Sequence, residues 1–187
     1  SKEERLIEKS STDAMTGALN REATKAQITE HLNEEETGFL FLLDIDNFKE
    51  INDTRGHRIG DQILIDLVEL LKSEFRQNDV IGRLGGDEFM VFMGQTRDPM
   101  IAVQKASHIL KRLAAEKAGT FSVSIGIAYA PIDGTTYDQL YDAADIAMYQ
   151  AKRQGKNSFY LRTSPVDSKT PKDPDRPVHR EDPPAQH

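Results

Sequence analysis

Apolar positions along this chain come in two rhythms, and their order predicts the elements. Residues 38–43 (Gly-Phe-Leu-Phe-Leu-Leu) are apolar almost throughout, as a central strand covered on both faces requires. Residues 121–130 alternate instead, with Phe121, Val123, Ile125, Ile127 and Tyr129 on one face and Ser, Gly or Ala on the other. A strand of that kind packs its small-residue face closely under a helix. Ile63, Leu64, Leu67, Val68, Leu70, Leu71 and Phe75 keep a period of about 3.6 and predict a long amphipathic helix starting at Asp61. Ile101, Ala102, Ala106, Ile109, Leu110 and Leu113 predict another inward helix face, with Pro99 at its start and its end near Lys117. Leu140, Ala143, Ala144, Ala147, Met148 and Ala151 predict a third, opened by Thr136 and Gln139 at capping-box spacing and closed by Lys152, Arg153 and Gly155.

Shorter signals fill the gaps. Asn20 is an N-cap for a helix ending near Leu32. Residues 47–51 read as a short helical turn, and residues 52–60 as a loop leading to Asp61, whose default role is the cap of the next helix. Val80, Ile81 and Leu84, then Phe89 to Met93, flank Gly85-Gly86 as two strands of a hairpin. A two-residue turn there needs positive φ at both glycines. A last short strand covers residues 158–161. Helix, strand, helix, hairpin, helix, strand, helix, strand is the pattern of an α+β fold: one mostly antiparallel central sheet with helices packed on it, palm-like.

Composition narrows what such a domain does. The 187 residues suffice for one well-cored domain with a little left over. Residues 163–187 hold six of the eight prolines and almost no large aliphatic side chain, so they read as a disordered tail. Residues 1–12 are polar and helix-favouring, a lead-in helix or linker from an upstream region, since the chain opens on Ser1 and reads as a piece of something longer. The domain is therefore expected over residues 13–162. A net charge of −7 argues against nonspecific nucleic-acid binding through a basic surface. The absence of cysteine excludes disulfides, thiolate catalysis and cysteine zinc sites. No apolar run approaches the roughly 18 residues of a membrane span and no signal peptide is visible, so a cytoplasmic piece is expected, its parent attached to a membrane, if at all, through upstream sequence.

Phosphate chemistry in an acidic protein needs metal ions and a few placed cations. The adjacent acids Asp87 and Glu88 at the hairpin tip can bind a divalent ion or take a proton, and Asp44, where the central strand ends, would face Asp87 if the two strands were sheet neighbours. The amides of Asn47 and Phe48 open a short helix beside Asp44, an anion-binding geometry. Lys49 lies on the same turn, and Lys152 and Lys156 close the last long helix. Asn52 and Asp61 are candidates for reading a base edge, and an Asp acceptor suits the N1–H and amine of guanine.

Six ordered blocks carry a resemblance: Asp-Ala-Met-Thr-Gly-Ala-Leu-Asn-Arg (13–21), Asp-Ile-Asp-Asn-Phe-Lys-Glu-Ile-Asn-Asp (44–53), Gly-His-Arg-Ile-Gly-Asp (56–61), Arg-Leu-Gly-Gly-Asp-Glu-Phe (83–89), Ser-Val-Ser-Ile-Gly-Ile-Ala (122–128) and Ala-Asp-Ile-Ala-Met-Tyr-Gln-Ala-Lys (144–152). Over about residues 10 to 162 the chain resembles the GGDEF family of diguanylate cyclases. The resemblance implies a palm-like fold related to nucleotide cyclases and polymerases. It also implies condensation of two GTP into cyclic di-GMP with release of two pyrophosphates, in a homodimer whose copies meet face to face, each holding one GTP. By position, Asp44, the Ile45 carbonyl and Asp87 look like ligands of Mg²⁺, with Mn²⁺ as a substitute. Glu88 looks like a further ligand or the base for the 3′-hydroxyl; the proton work of Asp87 and Glu88 is not separated by sequence. Lys49 looks like a catalytic cation, with Lys152 and Lys156 supporting it on the phosphates. Lys156 stands where an arginine is common in the family, which removes a bidentate grip. Asn47, Phe48, Asn52, His57, Asp61, Gly85 and Gly86 complete the substrate-binding set. Arg76 and Asp79, in fixed register ahead of Gly85, are similar to the family's inhibitory product site, although Arg76 also suits an ordinary helix C-terminus. The competing reading is a catalytically silent domain that binds GTP or cyclic di-GMP as a receptor; retention of Asp44, Lys49, Asn52, Asp61, Asp87 and Glu88 favours the enzyme.

Overall fold

Strand β1 (Gly38–Ile45) lies at the middle of the sheet because both of its faces are apolar. In this computed structural model, which describes residues 2–3, 10–34, 37–117 and 119–162, it pairs antiparallel with β3 (Glu88–Gly94) on one side and β4 (Val123–Ala130) on the other. Strand β2 (Val80–Gly85) joins β3 as the hairpin partner, and β5 (Ser158–Leu161) runs parallel to β4, giving the order β2-β3-β1-β4-β5. The open edge of β2 is covered by the chain around Leu19, whose amide donates to Ile81 and whose carbonyl accepts from Arg83.

The two faces of the sheet have separate cores. Leu40 and Leu42 of β1 pack with Met90 and Phe92 of β3 under α1 (Arg21–Asn33) and α5 (Tyr137–Arg153). Phe39, Phe41, Leu43 and Ile45 face the other way, onto α3 (His57–Glu74) and α4 (Pro99–Glu116), with Ile51 of the short α2 (Phe48–Arg55) at the margin. The small-residue face of β4 lies under a helix, as its alternation predicts. A Cβ on Gly126 would sit 2.0 Å from the Ala144 carbonyl oxygen and 2.3 Å from the Met148 nitrogen of α5. Among the described residues no helix is long and apolar enough to cross a membrane.

Caps hold the helix starts. Asn20 accepts from the Ala23 amide at 2.9 Å and Asp98 from the Met100 amide at 2.9 Å. The Thr136 hydroxyl accepts from the Gln139 backbone amide at 3.2 Å, while the Gln139 side-chain Oε1 takes the Thr135 amide and not that of the cap residue.

Four expectations are corrected. Residues 52–60 are not a loop: α2 runs to Arg55, Gly56 alone forms the joint at φ 89°, and α3 begins at His57. Asp61 is therefore inside α3 and does not cap it. The hairpin closes between Gly85 and Glu88, so its central residues are Gly86 and Asp87. Gly86 has φ 50°, and Gly85, at φ 140°, belongs to the irregularity that ends β2. Ile101, placed inward by its spacing, is 44% exposed, because it sits in the first turn of α4, at the mouth of a cleft. The expected lead-in segment lies mostly, and the proline-rich tail wholly, outside the described residues.

Candidate active site

The carboxylates meet at one end of the sheet because β1 and β3 are neighbours. Asp44 and Glu88 are directly opposed in register, on the face that carries α1 and α5, and the Ile45 amide donates to the Asp87 carbonyl at 3.2 Å. Arg83 fixes the turn that presents Asp87: its Nε and Nη2 donate to the Gly86 carbonyl at 3.0 and 2.8 Å. Its Nη1 lies 3.2 Å from Asp13 Oδ1. Burial pushes the Asp13 carboxyl upward, but the Thr16 hydrogen bonds and the Arg83 guanidinium outweigh it and hold it below its ordinary value. Arg21 Nε adds a bond to the Leu84 carbonyl at 2.9 Å, so the chain is held on either side of Gly85, at Leu84 by the first residue of α1 and at Gly86 by Arg83.

Asp87 has the most perturbed acid of the site. Burial and then the nearby Asp44 carboxylate push it up to about 6, against the pull of its own backbone hydrogen bond and of Lys152. Two hard carboxylates repelling each other at a strand end, with the Ile45 carbonyl beside them, form a donor set that suits a small divalent cation. Among the described residues no three His, Cys, Asp or Glu side chains form a metal-holding group on their own. Such a set fits an ion that keeps waters and takes phosphate oxygens, as Mg²⁺ does, and not one needing a full protein cage.

Cations border the acids. Lys152 Nζ lies 2.7 Å from Asp44 Oδ2, and Lys156 Nζ donates to Asn47 Oδ1 at 2.7 Å. Asn47, at φ 55° and ψ 35°, turns the chain into α2 without a side-chain cap, leaving the Phe48 and Lys49 amides at a bare helix start. Lys49 is exposed on that turn and Phe48 is half-buried against the core. Tyr141, on the same face of α5 as Lys152 about three turns earlier, donates its hydroxyl to Glu88 Oε1 at 2.8 Å.

The α2–α3 joint sets Asn52 against the start of α3. A Cβ on Gly60 would fall 1.9 Å from Asn52 Oδ1, so the bare Gly60 lets Asn52 lie against the turn that carries Asp61. His57 and Asp61 are exposed on the first turns of α3. Arg76 and Asp79 are not part of this group. They lie where β2 begins, at the opposite end of the sheet, in a cleft of about 560 Å³ that also includes Gln95, Arg97 and Lys105. The Arg76 amide donates to Asp79 Oδ2 at 2.9 Å, and its Nη2 to the Gly94 carbonyl at 2.7 Å.

Sequence reasoning assigned no role to Asp46, Tyr141 or Arg83. Asp46 had a signal, since alternation from Asp44 puts it on the same face, towards Ser124 of β4 and Ser122 just before it. Tyr141 had none: its partner is 53 positions away.

Comparison with known proteins places these features in a family. The family model described as "Diguanylate cyclase, GGDEF domain" matches residues 10–158. The bifunctional diguanylate cyclase/cyclic di-GMP phosphodiesterase MucR of Pseudomonas aeruginosa is 35% identical over 163 residues, 82% of this chain and 24% of that protein. The probable diguanylate cyclase DgcC of Escherichia coli is 35% identical over 162 residues, 82% of this chain and 43% of that protein. This chain thus spans less than half of either relative. A solved microbial GGDEF domain, described in its interaction with cyclic di-GMP, superposes with a TM-score of 0.74 at 32% identity, covering 84% of this chain and 99% of that one.

Proposed function

This chain belongs to the GGDEF family, and we propose that it is a diguanylate cyclase, condensing two GTP into cyclic di-GMP with release of two pyrophosphates. The observation that carries the reading is the opposition of Asp44 and Glu88 across β1 and β3, with Asp87 beside them pushed up to about 6 by burial and then by Asp44. Asp44, the Ile45 carbonyl and Asp87 would hold Mg²⁺, with Glu88 as a further ligand or the proton acceptor. Bound there, the ion supplies Lewis-acid activation of the α-phosphate and of the attacking oxygen. Glu88 or Asp87 accepts the 3′-hydroxyl proton as the new O–P bond forms and the bond to pyrophosphate breaks. Lys49, Lys152 and Lys156, with the amides opening α2, balance the charge of the phosphates and leaving group. Asn52, His57 and Asp61 hold the guanine and sugar end.

One copy carries one such set, so the second 3′-hydroxyl comes from a GTP on a second copy, and turnover needs a homodimer. Product bound in the Arg76–Asp79 cleft restrains that turnover. The test is incubation of the chain with GTP and Mg²⁺ across a range of protein concentrations, with product read by chromatography. Cyclic di-GMP formed faster per molecule at higher concentration, and abolished in Glu88→Gln, is the expected result. No product at any concentration, with cyclic di-GMP still bound, would transfer the chain to the receptor reading.

A further inference from the structure

Asp46 follows β1 directly and is 7% exposed, yet no Lys, Arg or His among the described residues pairs with it. Its charge is met by hydrogen bonds alone. Ser124 Oγ donates to Oδ1 at 2.6 Å; Ser122 Oγ donates to Oδ2 at 2.6 Å, and the Asn157 amide to the same oxygen at 2.9 Å. The Asp46 amide in turn donates to the Ser122 carbonyl at 2.9 Å. Three donors to one carboxylate set its rotamer and make it a fixed post between β4 and the segment linking α5 to β5.

That segment is held in an unusual conformation. Lys156 and Asn157 have φ of 63° and 45°, and Asn47, beside Asp46, has φ 55°. A left-handed Asn is tolerated, but a left-handed Lys costs about 1 kcal/mol or more and persists only where its surroundings hold it. The Asn157 amide bond to Asp46 supplies that hold, and in this conformation Lys156 Nζ reaches Asn47 Oδ1 at the start of α2.

We propose that Asp46 is a positioning residue for the phosphate end of the site, holding the Lys156 ammonium over the Asn47 turn. The proposal rests on the cyclase reading, which puts phosphates at that turn. Without Asp46, residues 156–157 relax out of the left-handed region and carry the ammonium away.

The test measures binding of 3′-deoxy-GTP with Mg²⁺ by calorimetry, since that nucleotide lacks the hydroxyl that condenses; melting by circular dichroism monitors the fold. Asp46→Ala is expected to raise the dissociation constant about tenfold, the loss of one charge-assisted contact. Lys156→Ala should do the same, and adding Asp46→Ala to it should weaken binding by less than about twofold more, because both changes remove one cation. Fully additive losses, or unchanged binding in Asp46→Ala, overturn the proposal. Asp46→Asn keeps the volume and one acceptor oxygen, and carries the same comparison with a smaller rise if the alanine variant does not fold. No binding by the unsubstituted chain overturns the cyclase reading and takes this proposal with it.

Discussion

At neutral pH the Asp87 carboxylate carries a cost that a surface aspartate does not, because it is partly buried and Asp44 lies close by. Its pKa moves from 3.8 to about 6, so between those values the folded chain holds a proton that the unfolded chain does not. The stability this group contributes is fully present below about pH 4 and is lost as pH rises through about 6. Asp87→Asn in chelator should therefore be more stable than the unsubstituted chain by roughly 1–3 kcal/mol at pH 8, with the difference gone near pH 4. A variant that melts lower at pH 8 would contradict this origin of the shift. Tyr141 acts on the other hairpin acid through its hydroxyl. Tyr141→Phe should lower turnover about tenfold while leaving nucleotide affinity and melting nearly unchanged, the loss of one hydrogen bond to a charged group. An equal loss of affinity would mean that the hydroxyl supports the pocket rather than Glu88.

Helix α5 brings Lys152 and Tyr141 to the acids, and its height above the sheet is set by Gly126. Gly126→Ala forces a methyl into the Ala144 carbonyl and the Met148 backbone, neither of which can rotate aside, so a loss of roughly 3 kcal/mol or more is expected by chemical denaturation. Activity should fall with it even at temperatures where the variant is folded, because Lys152 rides on the displaced helix. A loss below about 1 kcal/mol would show that α5 shifts freely. This contact was legible beforehand, since Ser, Gly and Ala alternating with Ile and Val leave one face with nothing to fill it except a close helix. The α2–α3 joint was misread for an equally local reason: Gly56 and Gly60 look like loop residues, and only the Asn52 side chain lying against Gly60 explains why the second is helical. The Gly-Gly turn was misplaced by one residue because its register is set by Gly85 opposing Glu88, a cross-strand fact absent from the spacing. Tyr141 answers to an acceptor 53 positions away, which no local pattern contains; for Asp46 alternation shows the face but not its donors, which lie 76 to 111 positions away.

Across the whole molecule, the sheet separates two polar sites by its length. The acids lie where β1 ends and β3 begins, and Arg76 and Asp79 where β2 begins and β3 ends, about 20 Å away at ~3.3 Å per residue. A dianionic product held in the second cleft cannot touch GTP in the first, so inhibition there would leave the chemistry of a single encounter intact and act on how often two copies meet productively. Arg76 is more than half exposed even while its Nη2 bonds the Gly94 carbonyl, leaving guanidinium donors for a phosphate; Arg97 and Lys105 add charge. Arg76→Ala should raise the product concentration needed for half-inhibition by about tenfold or more, as loss of one charge-assisted phosphate contact demands. Initial rates, taken before product accumulates, should stay within about twofold. Progress curves settle the matter: the unsubstituted chain should slow well before GTP is exhausted, and the variant should run nearly straight. Curves that bend alike would reject the cleft as the inhibitory site, and curves that start low would show that Arg76 instead supports the sheet end through Gly94.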